Sequence, residues 1–434
     1  MKKQTPFGLM KSGDVRVFSL LGLYTKKPER ILDIMDRAVD NNPYQRPAMQ
    51  APPTVAVSAT SDPTLVFTTM AAAGALTTAA IKQVAWYGGV PTPILTQYVC
   101  MPVASVLPST AGNIGSGFAD KNQWASAMEI MTDSDKVQFG IYMSNAVKVM
   151  FQVDGQYVDF AGVTGLGAAS ADTFLGLTFA TRKVRRIRVL IPCLPSKGPC
   201  LVKSIRVSPT CSFWKPNQAN VLRMAWYGDS YGEGTNGAAS IYPIPNAAWP
   251  VLTGELLGIR DVRQLSVGST GYLSDAAGAR SKLRDQMPRT FSQGPFDIAV
   301  FAHGYNDSGF APAAIQAEVL FCLQMFRQNF PLTPMVVLGC QAGAAGPNAA
   351  QIACDGAIGA AVLQFNDPLC KFVPVSTDTP TWLNGTGAVG ATNGSGNSDF
   401  YVDPDKAHPN VAGAEYLSFR SAIGIRTAVA SMAA

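Results

Sequence analysis

From residue 220 onward, short apolar segments alternate with longer segments that have helical periodicity. Strands are predicted at 221–226, 262–267, 296–302, 334–339 and 372–375, and helices at 247–257, 280–291, 313–329, 349–365 and 411–431. Strands that alternate with helices of this length form a parallel sheet that is covered by helices on both faces. Ligands bind such sheets beyond the carboxyl ends of the strands, so the residues at those ends are the first candidates for chemistry.

The preceding segment, 54–218, has the pattern of an all-β domain. Short apolar and β-branched runs are separated by turns rich in Gly and Pro. The stretch 147–160 predicts a hairpin, because two such runs flank Asp154-Gly155, a favoured two-residue turn. Several short strands of this kind predict a β-sandwich of the jelly-roll type.

Residues 1–53 are predicted to be a separate segment. Apolar residues at helical spacing predict a helix over 28–39, and a stretch rich in Pro and Asn follows it. The chain is thereby divided into 1–53, 54–218 and 219–434. The first part could attach the protein to a larger assembly or to another copy of itself.

Composition excludes several classes of protein. A hydrophobic content of 47% with only 15% charged residues is not that of a disordered chain, and no run reaches the roughly 18 apolar residues of a membrane span. The net charge of +5 is too small for a dedicated nucleic-acid-binding protein. No secretion signal is predicted, because the apolar run at 17–24 follows charged residues and lacks a cleavage site. The location stays open between the cytoplasm and a virion that reaches the exterior by lysis.

Metal and cofactor sites are not expected from the sequence. There are two His and eight Cys, and no CxxC pair has zinc-type spacing. The four Cys of the last part lie in apolar segments that are typical of buried thiols. Cys193 and Cys200 flank a segment that contains Pro, and they could form a disulfide or remain free.

Four segments at predicted strand ends or before the last helix carry polar residues. A serine hydroxyl becomes a nucleophile when a neutral imidazole takes its proton, and that imidazole needs a carboxylate to fix its tautomer. The tetrahedral oxyanion of acyl transfer needs preorganised N–H donors. These requirements are met by Gly228-Asp229-Ser230, the run 266–271, Gly304-Tyr305-Asn306-Asp307 and Asp405-Lys406-Ala407-His408-Pro409.

In this order the four segments resemble the motifs of the SGNH (GDSL-type) hydrolase family, over about half of the chain. The resemblance implies a flavodoxin-like three-layer α/β/α domain with a parallel sheet. It assigns Ser230 as the nucleophile, His408 as the general base and Asp405 as the residue that orients the base. The oxyanion donors that it implies are the backbone N–H groups of Ser230 and Gly271 and the side-chain amide of Asn306.

Two of these assignments have alternatives. The second motif has Ser266 where the family usually has Asn, and this leaves Gly268 as an alternative oxyanion donor to Gly271. Asp403 is a second carboxylate near the general base. The proline after Asp403 biases it towards an extended backbone, which favours the aspartate three positions before the histidine.

Other side chains are candidates for contacts with ligands. Tyr231, His303 and Trp382 lie in or beside the motifs or in a late loop, and we predict that they line the substrate site. A run of five basic residues at 182–188 marks either a solvated strand edge or a contact to an acidic glycan or a neighbouring subunit.

A β-sandwich ahead of an SGNH domain resembles the arrangement of carbohydrate esterases. The resemblance implies a serine esterase that removes O-acetyl or other small acyl groups from a polysaccharide, without a metal or cofactor. The alternatives are a lipase or thioesterase of the same family, and a glycan-binding structural protein with an inactive domain. The missing secretion signal and the basic N-terminal segment also fit a phage tail or another virion component.

Overall fold

The structure is a computed structural model that describes most of the chain. The described ranges are 26–39, 49–94, 96–100, 124–143, 147–166, 171–193, 200–234, 248–277, 280–390 and 396–434. Within these ranges, no helix has both the length and the apolar character that a membrane span needs.

The amino-terminal half is mostly antiparallel β-structure. One sheet has the strand order β1-β13-β9-β15-β7-β6, with β2 beside β15, and the other has the order β11-β10-β14-β8-β16, with β12 beside β10 and β5 beside β8. Side chains of both sheets meet in one core, where the rings of Phe139 and Phe151 lie 5.8 Å apart. The elements are helices α1 (Pro28–Val39) and α2 (Thr78–Lys82), and strands β1 (Thr54–Ser58), β2 (Val66–Thr69), β3 (Ala71–Ala72), β4 (Ala75–Leu76), β5 (Ala85–Tyr87), β6 (Thr92–Ile94), β7 (Tyr98–Cys100), β8 (Trp124–Thr132), β9 (Lys136–Met143), β10 (Lys148–Val153), β11 (Gln156–Tyr157), β12 (Val163–Thr164), β13 (Ala171–Thr178), β14 (Arg185–Cys193), β15 (Leu201–Val207) and β16 (Phe213–Trp214).

The predicted hairpin is present between β10 and β11, which pair antiparallel. Both residues of its turn have positive φ, 51° at Asp154 and 86° at Gly155. A two-residue turn of this kind matches the twist of the flanking strands, and it needs residues that tolerate the left-handed region. The Asp-Gly pair meets that need, so the prediction is confirmed.

The carboxyl-terminal half alternates strands and helices as predicted. Its five strands are all parallel and have the order β18-β17-β19-β20-β21. Most bounds differ from the prediction by a few residues. The elements are β17 (Arg223–Gly228), α3 (Trp249–Leu256), β18 (Asp261–Gln264), α4 (Leu283–Thr290), β19 (Ile298–Ala302), α5 (Pro312–Asn329), β20 (Met335–Leu338), α6 (Ala349–Phe365), β21 (Cys370–Val373), α7 (Ser398–Tyr401) and α8 (Val411–Ala433).

Helices cover both faces of the parallel sheet. Successive residues of a strand point to opposite faces. In β17, Met224 and Trp226 join a core with α1, α3 and α8, whereas Ala225 and Tyr227 join a core with α4, α5 and α6. Because β19 and β20 are buried on both faces, their sequences are apolar throughout rather than alternating.

Helix α1 belongs to this α/β core, which differs from the separate piece predicted for 1–53. Ile31 and Met35 are fully buried in the same core as α8, and Asp36 pairs with Arg426 of α8 at 2.7 Å. Full burial of an apolar side chain of this size stabilises a fold by about 1.5–3 kcal/mol. The helix is therefore part of the fold, while most of the remaining predicted segment lies outside the described residues.

The sandwich meets the α/β part along β18, the edge strand of the parallel sheet. The Ala125 N–H donates to Gln264 Oε1 at 2.8 Å, and the Gly88 N–H donates to Asp261 Oδ1 at 2.8 Å. Asp261 and Gln264 are the first and last residues of β18. The sandwich thus donates hydrogen bonds to side chains at both ends of this edge strand.

Candidate active site

The polar segments singled out in the sequence meet at one edge of the parallel sheet. Ser230 lies two residues after the end of β17, and Asn306 lies in the short turn that follows β19. The loop between α7 and α8 brings His408 to the same edge, as its contact with Ser230 shows. This is the carboxyl edge, where open α/β sheets bind ligands.

Ser230, His408 and Asp405 form a hydrogen-bonded chain. His408 Nε2 lies 2.7 Å from Ser230 Oγ, and His408 Nδ1 lies 2.6 Å from Asp405 Oδ2. An ionised carboxylate can only accept hydrogen bonds, so Nδ1 carries the proton. Nε2 of the neutral imidazole is then an acceptor that faces the serine hydroxyl.

The backbone also holds the carboxylate of Asp405. Its Oδ1 accepts the N–H groups of Ala407 and His408, each at 3.0 Å. Burial alone would raise the pKa of Asp405, but the hydrogen bonds from the imidazole and from these N–H groups outweigh it and lower the pKa below the usual value. Asp403 contacts the histidine through its backbone, since its N–H donates to the His408 carbonyl at 2.8 Å.

Asp229 organises the turn that carries the serine. Its Oδ1 accepts the N–H of Tyr231 at 3.1 Å, and its carbonyl accepts the N–H of Glu233 at 2.9 Å. Complete burial raises the pKa of Asp229 to about 7; the Asp307 carboxylate adds to this effect and the bond from Tyr231 opposes it. These contacts give Asp229 a role in positioning the backbone of the turn.

The side-chain amide of Asn306, one of the predicted oxyanion donors, uses one of its two N–H groups within the protein. Its Nδ2 donates to the Thr270 carbonyl at 2.9 Å, and a primary amide has two N–H groups. The turn begins at Gly304, whose φ is 131°. A Cβ at this position would lie only 3.0 Å from the Cα of Cys340, so both conformation and space require glycine.

The two glycines predicted as backbone donors have other partners. The Gly271 N–H donates to the Ser274 carbonyl at 2.9 Å. The Gly268 N–H donates to Glu233 Oε2 at 2.8 Å. Because each N–H already has an acceptor, the prediction of Gly271, or of Gly268 in its place, as an oxyanion donor is wrong for this conformation of the loop.

Asp307 fixes that loop, a role that sequence reasoning missed. Its Oδ2 accepts the Tyr272 N–H at 2.9 Å, and its Oδ1 accepts those of Leu273 and Ser274 at 2.9 and 3.0 Å. A Cβ at Gly271 would lie 2.3 Å from either carboxylate oxygen. The signal in the sequence is the carboxylate directly after the amide in the third motif.

The three side chains predicted to line the substrate site are buried instead. Tyr231, His303 and Trp382 are at most 2% exposed. Tyr231 donates its hydroxyl to the Ala407 carbonyl at 2.6 Å, and Trp382 donates its indole N–H to Asp378 Oδ2 at 3.0 Å. The prediction is therefore wrong for these residues, which support the loops from below.

The aromatic side chains of His303 and Tyr305, two positions apart, differ in burial. Burial lowers the pKa of His303 to about 3, so this imidazole is neutral, and it packs 5.4 Å from the ring of Tyr272. Tyr305 is half-buried, and its ring lies 5.3 Å from that of Tyr231. Tyr305 is thus the partly exposed aromatic side chain of the third motif, which sequence reasoning did not select.

In the described part of the chain, no three His, Cys, Asp or Glu side chains are grouped so that they could hold a metal ion. The pairing of Cys193 with Cys200 stays a prediction, because the side chain of Cys193 lies outside the described residues.

Solved structures include proteins that are similar to this chain. No protein-family model matches, and no curated protein matches. A salicylyl-acyltransferase from a tetracycline biosynthetic pathway is 16% identical, with 85% of this chain and 98% of that chain covered and a TM-score of 0.60. A family two carbohydrate esterase from Cellvibrio japonicus is 12% identical, with 87% of this chain and 99% of that chain covered and a TM-score of 0.55. A protein described as a putative GDSL-like lipase from Bacteroides ovatus is 15% identical, with 84% of this chain and 98% of that chain covered and a TM-score of 0.53.

The chain resembles the SGNH hydrolases, and carbohydrate esterases among them. Each of the three matches covers at least 84% of this chain, so the likeness extends over both the sandwich and the SGNH-like part. At these identities the likeness is one of fold.

Proposed function

We propose that this protein is a serine esterase that removes O-acetyl or other small acyl groups from a polysaccharide. The observation that carries the proposal is the chain of two short contacts, 2.6 Å and 2.7 Å, that joins Asp405, His408 and Ser230. It lies at the carboxyl edge of a sheet whose fold is similar to that of carbohydrate esterases.

The first half of the reaction transfers the acyl group to the serine. His408 Nε2 takes the proton of Ser230 Oγ as this oxygen bonds to the acyl carbon, and the electron pair of the carbonyl moves onto its oxygen. When the tetrahedral intermediate collapses, the sugar oxygen leaves and takes the proton from His408. Asp405 stabilises the imidazolium between these two steps. Water then repeats the sequence on the acyl-serine and releases the acid.

The oxyanion is stabilised by donors that do not have to move. The backbone N–H of Ser230 and the second side-chain N–H of Asn306 are the proposed donors. One such donor contributes about 10²–10³-fold to turnover. The bond of Asn306 to the Thr270 carbonyl at 2.9 Å holds its amide plane in place before substrate arrives.

Two tyrosine rings lie near the imidazole. Tyr231 is fully buried, and its ring lies 5.5 Å from that of His408 and 5.3 Å from that of Tyr305. Tyr231 therefore supports the imidazole from beneath, and Tyr305 is the partly exposed ring of the two. We infer that the partly exposed Tyr305 contacts the sugar.

Acetate release tests the proposal. The purified protein is expected to hydrolyse 4-nitrophenyl acetate and to release acetate from at least one member of a panel of acetylated polysaccharides, whereas Ser230→Ala does neither. If both proteins released no acetate from any ester, the esterase proposal would fail.

The alternatives differ in their substrate preference. A lipase of the same family would hydrolyse octanoyl esters faster than acetyl esters, and a thioesterase would prefer acyl thioesters. A glycan-binding structural protein would bind acetylated polysaccharide without releasing acetate. A rate that falls as the acyl chain lengthens from acetyl to octanoyl is the result expected here.

The finer structural assignments belong to the same proposal. We assign a flavodoxin-like topology to the α/β part, since the order β18-β17-β19-β20-β21 is 2-1-3-4-5 in chain order, and a jelly-roll type to the sandwich. The boundaries at 53 and 218 are proposed with them. Association with a virion stays a prediction.

A further inference from the structure

The last three basic residues of the run singled out in the sequence, Arg185, Arg186 and Arg188, lie in β14. This strand is internal to its sheet, between β10 and β8, so these three arginines are not on a solvated sheet edge. Its arginines point two ways: the Arg185 guanidinium lies 4.0 Å from the centre of the Phe179 ring, whereas Arg186 and Arg188 line a cleft. Arg186 and Arg188 lie on the same face of an internal strand, a position where solubility does not explain two charged side chains.

The cleft has a volume of about 390 Å³ and lies between the sandwich and the α/β part. This volume is at the lower end of the range for small-ligand sites. Val221, which precedes β17, and Arg260, which precedes β18, lie in its wall. The cleft is therefore at the amino ends of the parallel strands, opposite to the edge that carries the proposed catalytic residues.

Three guanidinium groups, those of Arg186, Arg188 and Arg260, lie around one buried carboxylate beside the cleft. Glu129 is 1% exposed and is bonded by Arg186 Nη2 at 2.7 Å, by Arg260 and by the hydroxyl of Tyr87 at 2.7 Å. Charges of the arginines lower the pKa of Glu129 against the opposing effect of its burial, which is the largest one. Glu129 bonds Arg186 and Arg260 but not the third guanidinium group, that of Arg188, which bonds a backbone carbonyl instead.

Arg188 is the member of this cluster that lacks an acidic partner among the described residues. It is 8% exposed, its Nη2 donates to the Arg260 carbonyl at 3.0 Å, and its buried Nε has no acceptor. The Nε of Arg186 also has none. Burial of a guanidinium group without an ionic partner is costly, and an anion in the cleft beside Arg188 would offset that cost.

Two further carboxylates lie in the cleft wall and accept hydrogen bonds from neutral donors. Asp154 Oδ1 accepts the backbone N–H of Arg186 at 2.8 Å. The carboxylate of Glu255 accepts the Tyr157 hydroxyl, at 2.7 and 2.6 Å from its two oxygens. Side-chain amides of Gln152 and two asparagines complete the polar lining. Amides of this kind bond hydroxyl groups, whereas the arginines bond oxyanions.

We propose that this cleft binds an acidic sugar unit, with its carboxylate or phosphate on Arg188 and Arg186 and its hydroxyls on the amides. Guanidinium groups recognise planar carboxylates and phosphates through paired N–H donors. The site is independent of the proposed esterase chemistry, because it lies at the other edge of the sheet.

Calorimetric titration of the full chain tests the proposal with three probes: glucuronate, glucose and inorganic phosphate at constant ionic strength. Saturable binding of glucuronate, with no binding of glucose, is expected. Arg188→Gln and Arg186→Gln should each weaken glucuronate binding at least about tenfold, the effect of one charge-assisted hydrogen bond. Arg182→Gln is the matched control, because this exposed arginine of the same run pairs with Asp133 at 2.6 Å.

The outcomes separate cleanly. Ser230→Ala should bind glucuronate as the wild type does, and a loss there would move the ligand to the catalytic edge and overturn the proposal. Equal affinity for glucose and glucuronate, or equal losses in Arg182→Gln and Arg188→Gln, would overturn it as well. If phosphate binds and glucuronate does not, the assignment of a sugar as the ligand is contradicted. If Arg188→Gln does not fold, the comparison of glucuronate with glucose on the wild type still decides.

Discussion

His408 Nε2 lies 2.7 Å from the hydroxyl of Ser230, although the two residues are 178 positions apart in the chain. Ser230 follows a strand that has neighbours on both sides, and His408 precedes the last helix. That helix is tied to α3 by a hydrogen bond from the indole of Trp249 to Ser421 at 2.9 Å. The contact between base and nucleophile therefore depends on how α8 packs on the sheet.

The carboxylate that orients the base is tested by two aspartate variants. Asp405→Asn is expected to lower kcat by up to about 10⁴-fold, because an amide does not hold the imidazole in the required tautomer. Asp403→Asn keeps the backbone bond to His408 and is expected to retain most of the activity. The measurement is kcat for 4-nitrophenyl acetate with each variant. A severe loss in Asp403→Asn and a mild one in Asp405→Asn would reverse the assignment.

The oxyanion role of Asn306 is tested by Asn306→Ala. Loss of one donor to the developing charge should lower kcat by about 10²–10³-fold with little change in KM. The thermal unfolding midpoint of the variant serves as the control, since the bond to Thr270 is lost as well. A change confined to KM would instead make Asn306 a residue that binds the ground state.

The packing of the loop against Asp307 is tested by Gly271→Ala. A Cβ there would lie 2.3 Å from the carboxylate oxygens, so the loop must shift, and we expect lower kcat and a lower unfolding midpoint. Gly309→Ala is the matched control, because a Cβ at Gly309 meets no atom within 4 Å. Equal behaviour of the two variants would show that the close approach at Gly271 has no consequence.

The buried carboxyl of Asp229 predicts a pH-dependent loss of stability. Its pKa is about 7 in the folded protein, above the usual value of 3.8. The folded state therefore holds a proton that the unfolded state releases, and stability falls as the pH rises from about 4 to about 7. The loss is on the order of 4 kcal/mol at neutral pH. Asp229→Asn should remove it.

Unfolding by urea at pH 5 and pH 8 measures this effect. The free energy of unfolding of Asp229→Asn should exceed that of the wild type by more at pH 8 than at pH 5. Parallel pH profiles of the two proteins would contradict the raised pKa.

Much of the α/β part could be predicted from local patterns. The central strands β19 and β20 are apolar throughout because both of their faces are buried, and the helix at 349–365 has the bounds that the sequence predicts. The site motifs were also visible, because serine, amide and Asp-x-x-His segments fall at strand ends. These signals are local, and each segment contains its own evidence.

The failures concern contacts between distant segments. Gly271 could not be excluded as a donor, because its N–H is used by a loop that Asp307 folds back from another strand end. Tyr231 and Trp382 lie in turns, and turns are commonly exposed, yet other loops cover both rings. Helix α1 packs on a helix some 390 positions away, which no local pattern reveals.

Labelling with a fluorophosphonate, which bonds covalently to activated serines, tests whether Ser230 is the activated nucleophile. We expect one adduct per chain, located at Ser230 by peptide mass spectrometry, absent in Ser230→Ala and formed far more slowly in His408→Ala. Labelling of Ser230→Ala at the rate of the wild type, or an adduct at another serine, would contradict that assignment.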